Sequence, residues 1–312
     1  MKEKLILSVV LSVILRILSI AQEYPRLKDV QIHAAVDHDQ GDSLYYFTFG
    51  LTNGIISEGK IYSFDIDISR DPRSVDSDTS GLRFENDGFT EASFRRHFPF
   101  LKGKIVPVGF VASPGTSFGF TWTGNISNNL TAGWGADSAT IEPGQSLGGF
   151  VMVSKGLPAI RRCVVSPFFD FDSLFSEERF PNEEDIPNTD SIQNAVKFYG
   201  WTVGPTAPPK IFIGSDWLDT LTSYVSQSRS LVWITTQRIA AKYTNYFASA
   251  KSQLQANNTA QARAILQSVL IDVNVDNLST LTSEAYALIR YNTEYLLAQL
   301  LASPPSRNTD RR

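Results

Sequence analysis

Residues 196–209 read Val-Lys-Phe-Tyr-Gly-Trp-Thr-Val-Gly-Pro-Thr-Ala-Pro-Pro. The first half of this stretch alternates large and small side chains with the period of a β-strand. The second half carries three prolines, which continue neither a helix nor a central strand. Before the stretch, aromatic residues, Gly and Thr alternate with period two; after it, apolar residues recur every three or four positions. The sequence therefore predicts a multidomain all-β plus all-α protein, with an antiparallel β-sandwich followed by a small antiparallel helical bundle.

The first residues have the pattern of a secretory signal peptide. Lys2 and Lys4 precede an apolar run over 5–20, and Ser19-Ile20-Ala21 provides a small-x-small cleavage site before Gln22. The alternative is a membrane anchor, but the run is shorter than the roughly 20 residues that span a bilayer, and Arg16 interrupts it. We expect a secreted or cell-surface protein with no membrane span after cleavage.

These patterns predict the domain organisation. The predicted segments are a signal peptide at 1–21, a β-sandwich domain at 22–205, a Pro-rich linker at 206–214, a helical bundle at 215–301 and a disordered tail at 302–312.

Charge and cysteine content exclude some classes of protein. The 28 Lys and Arg residues stand against 32 Asp and Glu residues, for a net charge of −4, and no long basic run occurs. Nucleic acid is therefore not an expected partner. Cys163 is the single cysteine, so the chain forms no internal disulfide and its stability has to come from burial of a core.

The β half contains repeated alternating segments bounded by turn residues. In the segment 60–68, the alternation predicts that Tyr62, Phe64, Ile66 and Ile68 face inward. Many short strands without helical patterns between them are typical of an antiparallel sandwich, of either immunoglobulin-like or jelly-roll order. The predicted strands lie at 30–36, 44–52, 60–68, 104–112, 117–124, 129–135, 147–154, 159–165 and 195–203.

The α half contains four apolar stripes with helical spacing. Ser215 is the candidate N-cap of the first helix. Asn258, with Gln261 three positions on, resembles a capping box at the start of the third, and the fourth opens at Thr282. Short connections between such helices favour antiparallel neighbours.

The segments 246–266 and 281–289 resemble the FIMAH helical module, named for being found in many hypothetical bacterial proteins. They read Tyr-Phe-Ala-Ser-Ala-Lys-Ser-Gln-Leu-Gln-Ala-Asn-Asn-Thr-Ala-Gln-Ala-Arg-Ala-Ile-Leu and Leu-Thr-Ser-Glu-Ala-Tyr-Ala-Leu-Ile. The resemblance covers roughly 217–301. It implies an exported bacterial protein, and the family has no catalytic residues to transfer. The β half has a weaker resemblance to uncharacterised bacterial surface sandwiches, through Gly149-Phe150 and 156–161.

Two tryptophans in the β half are candidates for ligand binding. Trp122 and Trp134 have Tyr and Phe neighbours and could form a platform on which sugar rings stack, since an indole has an apolar face and a polar edge. Sandwich cores also require such residues, so the alternative is that both tryptophans belong to the core.

An acidic turn is the candidate metal site. Asp37, Asp39 and Asp42 surround Gly41 and could hold calcium through oxygen ligands, and no other cofactor is expected. An EF-hand loop counted from Asp37 would need Glu at its twelfth position, where Thr48 stands, so an ordinary turn is the alternative. His33, His38 and His97 follow no metal-binding spacing and are expected at the surface.

Other candidate chemistry has weaker support. Residues 144–148 match the G-x-S-x-G pattern of a nucleophile elbow, but a strand is predicted after Ser146 instead of a helix, and all histidines precede it. Cys163 is expected to be a buried apolar residue. A pair of carboxylates could hydrolyse glycosides if they faced each other across a cleft. The candidates are Asp65, Asp67, Glu142, Asp170 and Asp172.

The sequence thus favours a secreted or cell-surface binding, adhesion or structural module without catalysis. The expected partner is an extracellular glycan, bound through the β-sandwich, or a surface protein. The alternative is a secreted carbohydrate-active hydrolase that uses a carboxylate pair on the sandwich.

Overall fold

A computed structural model gives the fold of this chain. It contains antiparallel sheets in the first two thirds of the chain and helices in the last third. Among the described residues, none of the helices combines the length and the apolar character needed to cross a membrane. The structure describes residues 24–41, 43–69, 92, 95–96, 98–100, 103, 105–116, 119–120, 122–127, 130–170 and 194–302.

Most strands of the described chain belong to two antiparallel sheets. The first sheet has the order β1-β2-β9-β4 and the second has the order β11-β10-β3-β8-β7, while β5 and β6 form a separate hairpin. In chain order the strands are β1 (Gln31–Asp39), β2 (Leu44–Thr52), β3 (Ile61–Asp67), β4 (Gly109–Ala112), β5 (Gly115–Thr116), β6 (Gly119–Phe120), β7 (Trp122–Ile126), β8 (Thr131–Ala136), β9 (Ser146–Ser154), β10 (Leu157–Pro167) and β11 (Phe198–Thr206).

Aromatic side chains connect the buried faces of the two sheets. Phe49 of β2 lies with its ring centroid 5.8 Å from that of Trp134 on β8, and Phe150 of β9 lies 5.2 Å from Trp122 on β7. The ring of Phe110 on β4 packs directly against the backbone of Gly124 on β7, where an added Cβ would lie only 2.5 Å from the ring. Glycine is therefore required at this point of contact between the sheets.

Two predicted boundaries, those of strand β11 and of the helix that follows it, differ from the structure. The strand predicted at 195–203 lies at Phe198–Thr206, because β11 is an edge strand and tolerates Pro205, which has no N–H to donate. The first helix begins at Gly214, and its N-cap Ile213 makes no side-chain hydrogen bond. Ser215 is therefore not the N-cap.

Four α-helices occupy 214–302: α1 (Gly214–Ser230), α2 (Gln237–Gln255), α3 (Thr259–Asp276) and α4 (Ser283–Ala302). The side chain of Asn258 accepts a hydrogen bond from the N–H of Gln261, so the predicted cap of the third helix is confirmed. Between α2 and α3, the Lys242 ammonium lies 3.0 Å from a carboxylate oxygen of Asp272 and 2.6 Å from one of Asp276. This half-buried ion-pair group fixes the two helices against each other.

Helix α4 covers the free edge of β1, which is the outermost strand of the first sheet. The backbone N–H of Ala34 donates to the Glu284 carboxylate at 2.7 Å, and the Ser283 hydroxyl donates to the carbonyl of Ala34 at 2.7 Å. Further along, the Tyr291 hydroxyl donates to the Val36 carbonyl at 2.8 Å. Side chains of α4 therefore replace the missing neighbouring strand and satisfy the backbone groups of the edge.

The same helix also contacts the second sheet. The Asn292 amide donates to the carbonyl of Pro158 on β10 at 2.9 Å, and the indole N–H of Trp217 donates to the carbonyl of Asn292 at 3.0 Å. Buried apolar side chains of the strands and of the helices form one continuous cluster. The predicted division into separate β and α domains stays a prediction. The predicted signal peptide at 1–21 lies outside the described residues, and so does the predicted tail at 302–312 except for Ala302. Both also stay predictions.

Replacement of Glu284 should show how much the covered edge contributes to stability. Glu284 is 2% exposed, so Glu284→Ala leaves the N–H of Ala34 buried without an acceptor. We expect the free energy of unfolding, measured by urea denaturation, to fall by about 2 kcal/mol. Glu284→Gln retains an acceptor oxygen and should cost less.

The matched control on the same helix is Glu294→Ala. Glu294 forms an i,i+4 ion pair with Arg290 at 3.0 Å on a half-exposed face, so its loss should cost about 0.5 kcal/mol or less. Equal effects of Glu284→Ala and Glu294→Ala would contradict the role assigned to the edge contact.

Candidate functional site

The two tryptophans predicted as a stacking platform lie in the core. Trp122 is 1% exposed and Trp134 is 0% exposed. The Trp134 ring is stacked parallel to that of Phe64 at 6.0 Å, and Phe110 contacts it edge-on at 5.3 Å. Neither indole presents a ring face to a ligand, so a surface platform formed by these residues is ruled out by their burial, and the core alternative applies.

The structure places part of the predicted calcium site. Asp37 and Asp39 are exposed on β1, and the Asp39 carboxylate accepts a hydrogen bond from the N–H of Gly41 at 2.7 Å, as in a turn closed by an Asx side chain. Asp42 lies outside the described residues. Within the described part of the chain, no three His, Cys, Asp or Glu side chains are grouped to hold a metal ion. Calcium binding at this turn stays a prediction.

The first two residues of the G-x-S-x-G pattern end a turn, and the other three begin a strand. The N–H of Gln145 donates to the Glu142 carbonyl at 3.0 Å, and Gly144 has φ +81, as the third position of a type II turn requires. Strand β9 begins at Ser146, whose hydroxyl lies 2.7 Å from that of Thr52. This pattern is therefore structural.

Cys163 and two of the three histidines, His33 and His38, are among the described residues. Burial raises the pKa of the Cys163 thiol to about 12, so the thiolate that reacts as a nucleophile is disfavoured. His33 is exposed on β1, and His38 stacks on Tyr45 with ring centroids 4.2 Å apart. His97 lies outside the described residues.

Four of the five candidate carboxylates are described, and they do not form a facing pair in a cleft. The Asp67 carboxylate accepts from the N–H of Ser69 at 2.7 Å, Glu142 pairs with Lys60 at 2.9 Å, and Asp170 is exposed. Asp172 lies outside the described residues. Asp65 is the one of these four that lies inside a concave, shielded site.

A β-bulge in β3 creates that site. Ser63 pairs with Ser166 of β10, whereas Ile61 pairs with Pro167, so Tyr62 is an extra residue without a partner. The bulge reverses the alternation of side chains: Ile61 and Phe64 are both 0% exposed, and Tyr62 between them is 42% exposed. The prediction that Tyr62 faces inward is therefore wrong.

Tyr62 and Phe168 form an exposed aromatic ridge between two concavities. Their ring centroids lie 6.0 Å apart with an interplanar angle of 60°. Both residues line both concavities, which have volumes of about 260 Å³ and 430 Å³. The smaller concavity is also lined by Lys60, Ala136, Asp137, Ser138, Ala139 and Thr140, and the larger by Ser63, Asp65, Ser166, Pro167, Phe169 and Lys197.

Asp65 is the carboxylate in the described lining of the larger concavity. Burial raises the pKa of its carboxyl to about 6, although the hydrogen bond from the Ser63 hydroxyl at 3.2 Å and the charge of Lys197 both act to lower it. A shielded carboxylate in a cleft destabilises the folded chain at neutral pH. Such residues are concentrated at functional sites, which makes this concavity the candidate site.

Two more aromatic residues share the same face of the second sheet. Val164 of β10 pairs with Asp65 on one side and with Tyr199 of β11 on the other, so these three side chains point to the same face. Trp201 lies two residues beyond Tyr199 on β11 and pairs with Arg162, whose guanidinium lies 5.5 Å from the centroid of the indole. Tyr199 is 60% exposed and Trp201 44% exposed.

Comparison of the chain with protein-family models and with curated proteins finds no match. The resemblance of 217–301 to the FIMAH module therefore stays a prediction.

Sequence reasoning missed the aromatic ridge for a definable reason. Strict alternation along 60–68 placed Tyr62 in the core, and the bulge that turns it outward lies opposite Ser166 and Pro167, which belong to a different strand. The available signal was Pro167-Phe168-Phe169, since a proline followed by two large aromatic residues marks the end of regular pairing.

The stability of the chain should report the burial of Asp65. The ordinary pKa of 3.8 applies to the unfolded chain, and the folded value is about 6. Between these two values the folded chain retains a proton that the unfolded chain has released, so the free energy of unfolding falls as the pH rises through this window and stays lower above it.

Asp65→Asn removes this dependence. We expect the substitution to stabilise the chain by about 1–2 kcal/mol more near pH 8 than near pH 4, measured by urea denaturation across that range. Asp170→Asn, at an exposed carboxyl, controls for the loss of one negative charge. An effect of Asp65→Asn that does not change with pH would show that Asp65 is not shielded.

Proposed function

We propose that this chain is a non-catalytic binding module that acts outside the cell or at its surface and binds carbohydrate on the outer face of the second sheet. The observation that carries the proposal is the exposed ridge of Tyr62 and Phe168 between two concavities. Aromatic rings bind the apolar faces of sugar rings, and nearby hydroxyl, amino and carboxylate groups provide hydrogen bonds to sugar hydroxyls. Ser63, Asp65, Ser166 and Lys197 provide such groups beside the ridge.

Hydrogen-bonded backbone flanks both residues of the ridge. Tyr62 lies directly after Ile61, which is paired with Ile141 by two backbone hydrogen bonds of 2.9 Å and 3.0 Å, and Phe168 donates its N–H to the Lys60 carbonyl at 2.8 Å. Since the neighbours of Tyr62 on β3 and the N–H of Phe168 are paired, little backbone freedom is lost when a ligand binds. This preorganisation favours binding as the role of the ridge.

The architecture belongs to the same proposal. We infer that the two sheets form a β-sandwich, of immunoglobulin-like or jelly-roll order, because aromatic side chains of both sheets meet between them. The four helices would form a small antiparallel bundle of the FIMAH type, and the resemblance supports bacterial export behind a signal peptide at 1–21. Adhesion to a surface glycan or a surface protein would be the biological role.

A carbohydrate-active hydrolase is the second candidate. It is favoured by the Asp65 carboxyl, since a pKa near 6 suits a general acid. The described lining of the larger concavity contains Asp65 as its single carboxylate, whereas glycoside hydrolysis generally requires two. The lining therefore supports binding over hydrolysis.

A glycan array with the purified full chain tests the proposal. Tyr62→Ala and Phe168→Ala should each weaken binding of the captured glycan about tenfold, because each removes one face of the ridge. Phe100→Ala is the matched control, since Phe100 is 47% exposed but contacts Phe98 instead of the ridge. Circular dichroism should show that all three variants fold.

Two outcomes would contradict the proposal: capture of no glycan, or capture that Tyr62→Ala and Phe168→Ala leave unchanged. Release of reducing ends from the captured glycan separates the two candidates. A rate that Asp65→Asn abolishes while binding is retained would establish the hydrolase, and the absence of any release supports the binding module.

A further inference from the structure

We infer that the ligand is an extended, uncharged polysaccharide that runs from the smaller concavity, over the ridge of Tyr62 and Phe168, across the larger concavity to Trp201. This inference rests on the proposed function and specifies the class of ligand. It follows from the order of the concavities, the exposed rings and the charges on one face of the second sheet.

The ridge lies between the two concavities. Tyr62 and Phe168 line both concavities, so the ridge separates two sites instead of forming the wall of one. Lys60, Asp137 and Thr140 lie on one side, and Asp65, Ser166 and Lys197 lie on the other. A ligand that uses both sets of polar groups has to cross the two rings, which a single sugar unit cannot do.

Exposed aromatic residues continue beyond the larger concavity. Lys197 lines that concavity, and Tyr199 and Trp201 follow at every second position, so their side chains repeat on one face at intervals of about 7 Å. Val164 pairs with Tyr199 on one side and with Asp65 on the other, so the series of exposed rings starts beside the larger concavity. Regularly spaced rings on a sheet face suit a polymer with repeating sugar units.

Acidic and basic side chains balance each other in the described linings of the two concavities. The smaller concavity contains one basic residue, Lys60, and one acidic residue, Asp137. The larger concavity contains Lys197 and Asp65, again one of each. Lys60 is also paired with Glu142 at 2.9 Å. Beside Trp201, Arg162 adds a positive charge that Glu142 offsets, so the described residues along this path have no excess of positive charge to attract a polyanion such as a uronic acid polymer.

Calorimetric titration of the full chain with oligosaccharide ladders tests the inference. The probes are cello-, laminari-, manno- and xylo-oligosaccharides from disaccharide to hexasaccharide, with oligogalacturonate as the charged comparison. For a ladder that binds, we expect the affinity to rise at least tenfold from disaccharide to hexasaccharide, and we expect oligogalacturonate to bind more weakly than the neutral ladder.

Substitutions at the two ends of the path give the sharper result. Tyr62→Ala should weaken binding of every length, whereas Trp201→Ala should weaken the hexasaccharide about fivefold and leave the disaccharide unchanged. Tyr199→Ala, at the more exposed position on the same strand, gives a second test in case Trp201→Ala perturbs β11. Phe100→Ala should leave all lengths unchanged.

The outcomes separate this inference from the function on which it rests. Binding that depends on Tyr62 but not on ligand length or on Trp201 and Tyr199 would overturn the inference and leave carbohydrate binding in place. Preference for oligogalacturonate would do the same. Binding of no ladder would overturn the inference, and the array result would then decide whether carbohydrate binding itself fails.

Discussion

The hydrogen bonds between α4 and the edge of β1 are the interaction on which the rest of this structure depends. An unpaired sheet edge leaves backbone donors and acceptors without partners, and burial of such groups is costly. Here Ser283, Glu284 and Tyr291 satisfy them from a helix. The helix can therefore pack its apolar residues against the strands, and the buried side chains of both halves of the chain form one cluster.

The candidate site arises from a second local constraint, the bulge at Tyr62. An extra residue in β3 brings Ile61 and Phe64 into the core and directs Tyr62 to the outside, beside Phe168. The same region retains Asp65, whose burial works against stability at neutral pH. Irregular pairing and a shielded carboxylate on the same short strand both lower stability, which is the pattern expected where a fold carries a binding site.

The sequence predicted regular elements well where local chemistry determines them. Strand 44–52 was predicted with its observed bounds because every second residue is large and apolar, and the type II turn follows from Pro143 and Gly144 alone. Prediction from the sequence failed where the conformation of a residue depends on another residue far away along the chain. Tyr62 faces outward at a bulge in the pairing with β10, and Glu284 would be assigned to a helix surface without Ala34, which lies 250 residues away along the chain.

Trp122 and Trp134 illustrate a different limit. The same aromatic composition serves a core and a binding face, and a single sequence does not show which sheet lies across from which. Trp122 contacts Phe150 of the other sheet, whereas Trp134 contacts Phe64, its partner on the neighbouring strand β3. Tyr62 and Phe168 are also aromatic, and they differ from the two tryptophans in their exposure. Exposure depends on how the strands are arranged, so the ridge could be recognised only after the strands were placed.

The separation between β1 and α4 also has a consequence for how the chain folds. Their contacts close a loop of about 250 residues, and loop closure of this length slows folding because its entropy is lost before the contacts form. A ribosome delivers β1 long before α4, so for most of synthesis the edge of the first sheet stays open to pairing with other chains. Protection of the nascent chain until its last helix arrives is thus a requirement set by topology.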